Sequence, residues 1–235
     1  MQKKLSSILV TTLFFLGFNL GIPEAVFGQS ESFRVDRKYC LTYLLEPDTD
    51  LLVRESRRVE AVLEDSRGLS KDQERKLRYA AGVLRVYRYI RTEERDDAMT
   101  AKEMLEAVEE EFAESDLFMV HIGMAHAFVA SIKTIFGVGD LKKMQAELQS
   151  IDRDHPDWLI RFLRGTTLVE VGRALPGVFT IKEIKQEAVE VGSGDLRYVL
   201  SMDRGNTFDP ENYDPNNTAV PPSVLRKAEE VLEAE

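Results

Sequence analysis

From Asp48 onward the apolar positions recur at three- and four-residue intervals, a period that predicts a succession of helices. Leu52, Val59, Val62 and Leu63 share one face of the first, and Gly68 ends it. Ser70-Lys71-Asp72-Gln73 then has the form of a capping box, in which Ser and Gln side chains satisfy the free amides of a helix start. The helix it opens is expected to reach about Arg91. Thr100-Ala101-Lys102-Glu103 predicts a second capped start, for a helix carrying Met104, Leu105, Val108 and Phe112. An apolar helix follows from Leu117 to about Ile135, with Gly137-Val138-Gly139 as a turn. Asp140 is expected to cap a helix through Leu141, Met144, Leu148 and Ile151. Trp158 to Val171 and Thr180 to Val191 predict two more, separated by Pro176-Gly177. No alternating strand pattern of useful length appears. The fold class is therefore all-α.

The two ends differ from this body. Residues 31–47 are mixed, with Tyr39, Leu41, Tyr43, Leu44 and Leu45 clustered before Pro47. Residues 203–222 are rich in turn formers, including Asp209-Pro210, Asp214-Pro215-Asn216-Asn217 and Pro221-Pro222. Ser223 is then expected to cap a terminal helix with Val224, Leu225, Ala228, Val231 and Leu232 on one face. At the other end, Lys3 and Lys4 precede an uncharged run from Leu5 to Ile22, Pro23 breaks it, and Val26-Phe27-Gly28 offers a cleavage point. That is the form of a secretory signal peptide removed near Gly28, which predicts an exported, periplasmic or secreted protein. A retained membrane anchor is the alternative, since the run nearly spans a bilayer. The organisation expected is a signal peptide over 1–28, an N-terminal segment with a first helix over 29–69, helical repeats over 70–202, and a turn-rich loop with a C-terminal helix over 203–235.

An internal repeat gives the body its order. Ala80-Ala81-Gly82-Val83-Leu84, His121-Ile122-Gly123-Met124-Ala125 and Leu163-Arg164-Gly165-Thr166-Thr167 each centre on a glycine, and the glycines stand 41 and 42 residues apart. Glycine within a helix costs about 1 kcal/mol against alanine, so a recurring one implies a close approach by a partner helix. The pattern predicts stacked helical hairpins sharing a continuous core.

Asp154-His155-Pro156-Asp157, followed by Trp158-Leu159-Ile160-Arg161-Phe162-Leu163-Arg164-Gly165, resembles the junction between tetratricopeptide repeats, with Phe162 as the large apolar residue and Gly165 as the small one. Asp214-Pro215-Asn216-Asn217 resembles the same junction, although the Pro-Pro that follows departs from it. Residues 117–179 are similar to a group of uncharacterised bacterial tetratricopeptide-like proteins. In these an extra segment, here Thr134-Ile135-Phe136-Gly137-Val138-Gly139, lengthens the repeat. The helix around Gly82 lacks the consensus aromatic spacing. The resemblance covers about half of the chain beyond the signal segment; it implies stacked antiparallel hairpins in a TPR-like α-solenoid and a binding role, without chemistry.

Charge and composition narrow the functions further. Acidic residues outnumber basic ones by 41 to 31, for a net charge of -10, which disfavours a nucleic-acid partner. The single cysteine, Cys40, can form neither an internal disulfide nor a thiolate metal site. It is expected to be buried or available for an intermolecular bond. His121 and His126 lie about 140° apart around their helix, too far round to share a metal readily. No serine-nucleophile elbow, phosphate loop or His-Glu-x-x-His pattern occurs. Asp209, Glu211, Asp214 and Asn216 make an oxygen-rich loop without the spacing or central glycine of the calcium-binding hand. No cofactor, metal or catalytic residue is expected.

One stripe stands out as candidate chemistry. Lys71, Arg75, Arg78 and Arg85 fall within about 80° on the helical wheel, opposite Leu77, Ala80, Leu84 and Tyr87. Arg161 and Arg164 lie three apart on a later first helix. Arg78, Arg85, Arg161 and Arg164 are therefore the candidate partner-binding residues, a positive strip suited to a protein or peptide bearing a carboxylate, with a solvated face as the competing reading. The function expected is a non-enzymatic interaction module or scaffold in the cell envelope. The alternatives are a helical pocket for a small or lipid-like ligand, lined by the Met and Phe of Leu117–Phe136, and, with less support, a hydrolase.

Overall fold

Ten helices account for the regular structure in a computed structural model that describes residues 34–65, 67–133, 137–174 and 182–234. The only other regular feature among the described residues is an isolated parallel bridge between Arg204 and Val220. The expected signal segment lies outside the described residues, as do residues 134–136 of the expected insertion and the Pro176-Gly177 break.

Helix α1 (Arg37–Leu44) falls in the segment where the apolar period is silent. It is short, and Asp36 opens it by accepting from the Tyr39 amide at 2.9 Å. Helix α2 (Thr49–Glu64) follows, with Asp48 as its cap. Helix α3 (Lys71–Thr92) starts at the expected capping box: Ser70 Oγ accepts from Gln73 N at 3.2 Å, and Gln73 Oε1 accepts from Ser70 N at 2.8 Å.

Helix α4 (Arg95–Glu106) begins five residues before Thr100, so the second capping box expected from the sequence is not a helix start. The reason is tertiary. Asp97 in the first turn is buried against α3, where Arg85 Nη1 donates to it at 2.6 Å and Arg88 Nη2 lies 3.2 Å away. Val108 and Phe112 belong to a break and a short α5 (Glu109–Phe112) rather than to α4.

Helix α6 (Asp116–Lys133) is the apolar helix, and α7 (Val138–Ser150) follows it. Asp140 is the third residue of α7 and not its cap, because its carboxylate is drawn to Lys102 and Lys133 at 2.6 and 3.0 Å. Helix α8 (Trp158–Ala174) precedes α9 (Lys182–Ser201), which continues through Gly192 and Gly194 well past Val191. At Gly192 the helix runs too close to α8 for a side chain, since a methyl there would stand 2.8 Å from the Gly165 carbonyl. Helix α10 (Pro222–Glu233) has Pro221 at its cap position and Pro222 at its first turn, in place of the expected Ser223 cap.

The helices pack as successive hairpins, α3 with α4, α6 with α7 and α8 with α9. Helix α4 lies on α6, α6 on α8, and α10 covers α8 and α9. The three repeated glycines mark equivalent joints. A methyl on Gly82 would stand 2.8 Å from Leu105 of α4, one on Gly123 2.5 Å from Leu148 of α7, and one on Gly165 3.0 Å from Leu196 and Asp195 of α9. Each first helix thus offers a notch that a leucine of its own second helix fills. Leu105, Leu148 and Leu196 are all buried, and truncating any of them to alanine would cost about 2–5 kcal/mol.

Candidate ligand groove

The first helices of the three hairpins also present a shared inner face. Met124, Phe128 and Ser131 of α6 are spaced i, i+4 and i+7. Phe162, Thr166 and Glu170 of α8 are spaced i, i+4 and i+8, with Leu163, Thr167, Val171 and Ala174 beside them. With Tyr87, Ile90 and Arg91 of α3, and Val224, Arg226 and Lys227 of α10, they enclose a groove of about 750 Å³. Ligand sites commonly span about 300–1,000 Å³.

Four of the lining hydroxyls are spent on the protein, that of Tyr87 on His121 and three on backbone carbonyls. Thr166 donates to the Phe162 carbonyl at 2.9 Å and Thr167 to that of Leu163 at 2.8 Å. Ser131 donates to the Phe128 carbonyl at 2.7 Å. Met124, Phe128, Phe162 and Leu163 add thioether, aromatic and aliphatic surface, with Tyr89 packed on Phe128 at 4.6 Å between ring centroids. Charge is confined to the rim. Lys227 of α10 bridges to Glu170 of α8 at 3.0 Å, and Arg91 donates to the Leu44 carbonyl at 2.8 Å. Arg173 fastens α10 by donating to the carbonyls of Val231 and Leu232.

None of the four candidate arginines lines this groove among the described residues. Arg78 keeps an exposed guanidinium beside Glu74, one turn away at 2.7 Å. Arg85 is clamped between Glu60 of α2 and Asp97 of α4, each at 2.6 Å. Burial lowers its pKa, but the two carboxylates outweigh that effect and raise it. Arg161 and Arg164 come together on one carboxylate, Asp195 of α9, at 2.9 and 2.6 Å. Arg164 is 1% exposed, and its remaining N–H groups reach the carbonyls of Ile151, Asp152 and Arg153 at 2.9–3.0 Å. Arg161 lies over the Tyr198 ring, 3.9 Å from its centroid. Three of the four are thus occupied inside the protein. Their acids, Glu60, Asp97 and Asp195, sit on neighbouring helices, where wheel geometry of a single helix cannot locate them.

The histidines divide in the same way. His121 Nδ1 lies 2.6 Å from the Leu117 carbonyl, which only accepts, so the proton sits there and Nε2 accepts from the Tyr87 hydroxyl at 2.8 Å. Cys40 Sγ is 4.0 Å from the same nitrogen, within this sealed cluster. Burial pushes the Cys40 thiol up to about 12 and the His121 imidazole down to about 4. Neither group is a nucleophile or base near neutral pH. His126 is wholly buried, its Nδ1 3.3 Å from Asp140 and its Nε2 3.1 Å from Glu147.

Among the described residues no group of three or more His, Cys, Asp or Glu side chains could hold a metal ion. No described helix is long and apolar enough to cross a membrane. The chain matches no family model, no curated protein and no solved structure.

Proposed function

We propose that this chain is a non-enzymatic, TPR-like binding module of the cell envelope, which holds an apolar segment of a partner protein in the groove between its first helices. The observation that carries this reading is the groove itself: Met124, Phe128, Phe162 and Leu163 side by side, the Ser131, Thr166 and Thr167 hydroxyls turned to their own backbone, and exposed charged residues around them. Such a site recognises through shape and apolar burial, with rim charges setting orientation. The repeated glycine–leucine joints favour the solenoid arrangement. Lys3, Lys4 and the uncharged run after them favour export.

A second reading is supported by Met124 and Phe128 in the groove wall: the occupant is a small or lipid-like molecule. Both readings are separated by one experiment. Ser131 is exposed at the wall, so Ser131→Trp fills the groove without entering the core. In-cell crosslinking with mass spectrometry should recover a reproducible partner from wild type and lose it from Ser131→Trp at unchanged helicity. Capture indifferent to the substitution rejects the groove. A lipid in the organic extract of wild type, absent from the variant, selects the second reading.

A further inference from the structure

The connection from α9 to α10, residues 202–221, is long for a compact protein, and such connections are commonly functional. Its ends are pinned together: Gly205 N donates to the Val220 carbonyl at 2.8 Å, and Val220 N to that of Asp203 at 2.9 Å. It forms one wall of a second cavity of about 350 Å³, whose other wall is Arg37, Leu41 and Trp158. This cavity shares no lining residue with the groove.

Two buried donors there are unmet. Trp158 is 2% exposed, and its Nε1 has no acceptor among the described residues. The same holds for Arg37 Nη2. The rest of that guanidinium is engaged: it pairs with Asp157 and lies over the Trp158 ring, 4.6 Å from the centroid. Buried donors are nearly always paired in folded proteins, so two on residues of one cavity wall call for acceptor oxygens from outside the described chain, and the cavity beside them has room for a ligand that supplies them.

The charge balance says what kind. Asp157 neutralises Arg37, while Asp209 and Asp214 in the loop add negative charge, which disfavours an anion. The wall also offers the amide of Asn206, the Oδ1 of Asn212, whose Nδ2 donates to Asp209 at 2.6 Å, the Nδ2 of Asn217, whose Oδ1 accepts from the Ala219 amide at 3.0 Å, and the rings of Phe208 and Tyr213. The occupant must therefore accept from Arg37 and Trp158, donate to carboxylate and amide oxygens, and set an apolar face against aromatic rings. Sugar hydroxyls both donate and accept, and the C–H face of the ring is apolar. We propose that this cavity is a binding site for a neutral saccharide of roughly one to two rings.

Trp158 is the single tryptophan, so its emission reports this site directly. The full chain would be titrated with a panel of neutral and uronic-acid mono- and disaccharides while tryptophan fluorescence is followed. A saturable shift with a neutral sugar is expected. Asn206 makes no hydrogen bond to a described residue, so Asn206→Ala should weaken binding about tenfold with the circular dichroism unchanged. Trp158→Phe, read by saturation-transfer NMR on the sugar, should lose a similar factor by deleting the N–H donor. The proposal is overturned if no neutral sugar shifts the emission at millimolar concentration. It is equally overturned if only the acidic sugars do so, or if both variants bind as wild type.

Discussion

The second and third hairpins each bury a cationic or potentially cationic side chain on the first helix against an acid on the second, and they do so with different completeness. In the third, all five N–H groups of Arg164 find acceptors, two on Asp195 and three on backbone carbonyls at the end of α7. In the second, His126 faces Asp140 and Glu147, yet its Nε2 and the Glu147 Oε2 complete no hydrogen bond among the described residues. The planar guanidinium fork can serve an acid and a helix end at once, whereas imidazole has only two nitrogens to offer. In the first hairpin, Arg85 at the position three beyond its glycine pairs with Asp97, as His126 at the same position in the second faces Asp140. One joint recurs, then, with a permanent charge in one copy and a conditional one in the next.

The comparison can be broken most severely at Asp195. Asp195→Ala would leave Arg161 and Arg164 buried without their counter-charge, and denaturant unfolding should show a loss of about 3–5 kcal/mol. Acid should weaken the second hairpin selectively. His121, on the same helix as His126, titrates near 4 in the fold against about 6.5 when free. The folded chain therefore binds fewer protons between those values, so stability is full above pH 6.5 and falls by up to about 3 kcal/mol as pH drops to 4. Burial pushes Asp140 up, but its bonds to Lys102, Lys133 and His126 hold it at about 2, so its contribution is lost only below that window. Hydrogen exchange at pH 7 and pH 4.5 should show α6 amides losing protection before those of α8; equal loss would sink the distinction. The smallest effect belongs to His126→Gln, which keeps one donor and one acceptor. A cost of about 1 kcal/mol by thermal melts is expected, well below that of Asp195→Ala.

Much of the architecture is legible in local pattern. The all-α class, the capping box at Ser70 and the repeated glycines follow from local spacing and cap chemistry. What escaped was decided across helices. The start of α4 depends on Asp97 meeting Arg85, and the place of Asp140 depends on Lys102, thirty-eight residues earlier. The candidate arginines were read from a wheel, which cannot show that Glu60 and Asp195 arrive from neighbouring elements to occupy Arg85, Arg161 and Arg164. Of the Met and Phe expected from the apolar helix, Met124 and Phe128 line the groove, whereas Phe118 is buried in the core. The contribution of α10 was not visible in advance, because only tertiary packing brings it over α8.

Cys40 has a consequence for kinetics. Its residue on α1 is fully shielded, with Tyr87 of α3 and His121 of α6 at its sulfur, and its thiolate is disfavoured well beyond neutral pH. A thiol-specific reagent can then react only during excursions in which α1 lifts away. The labelling rate becomes a counter of those openings, and its ratio to the rate for an unfolded peptide gives their equilibrium population. In an oxidising compartment the same shielding leaves the thiol inert while the chain stays closed, so damage at Cys40 would record how often an individual molecule has opened.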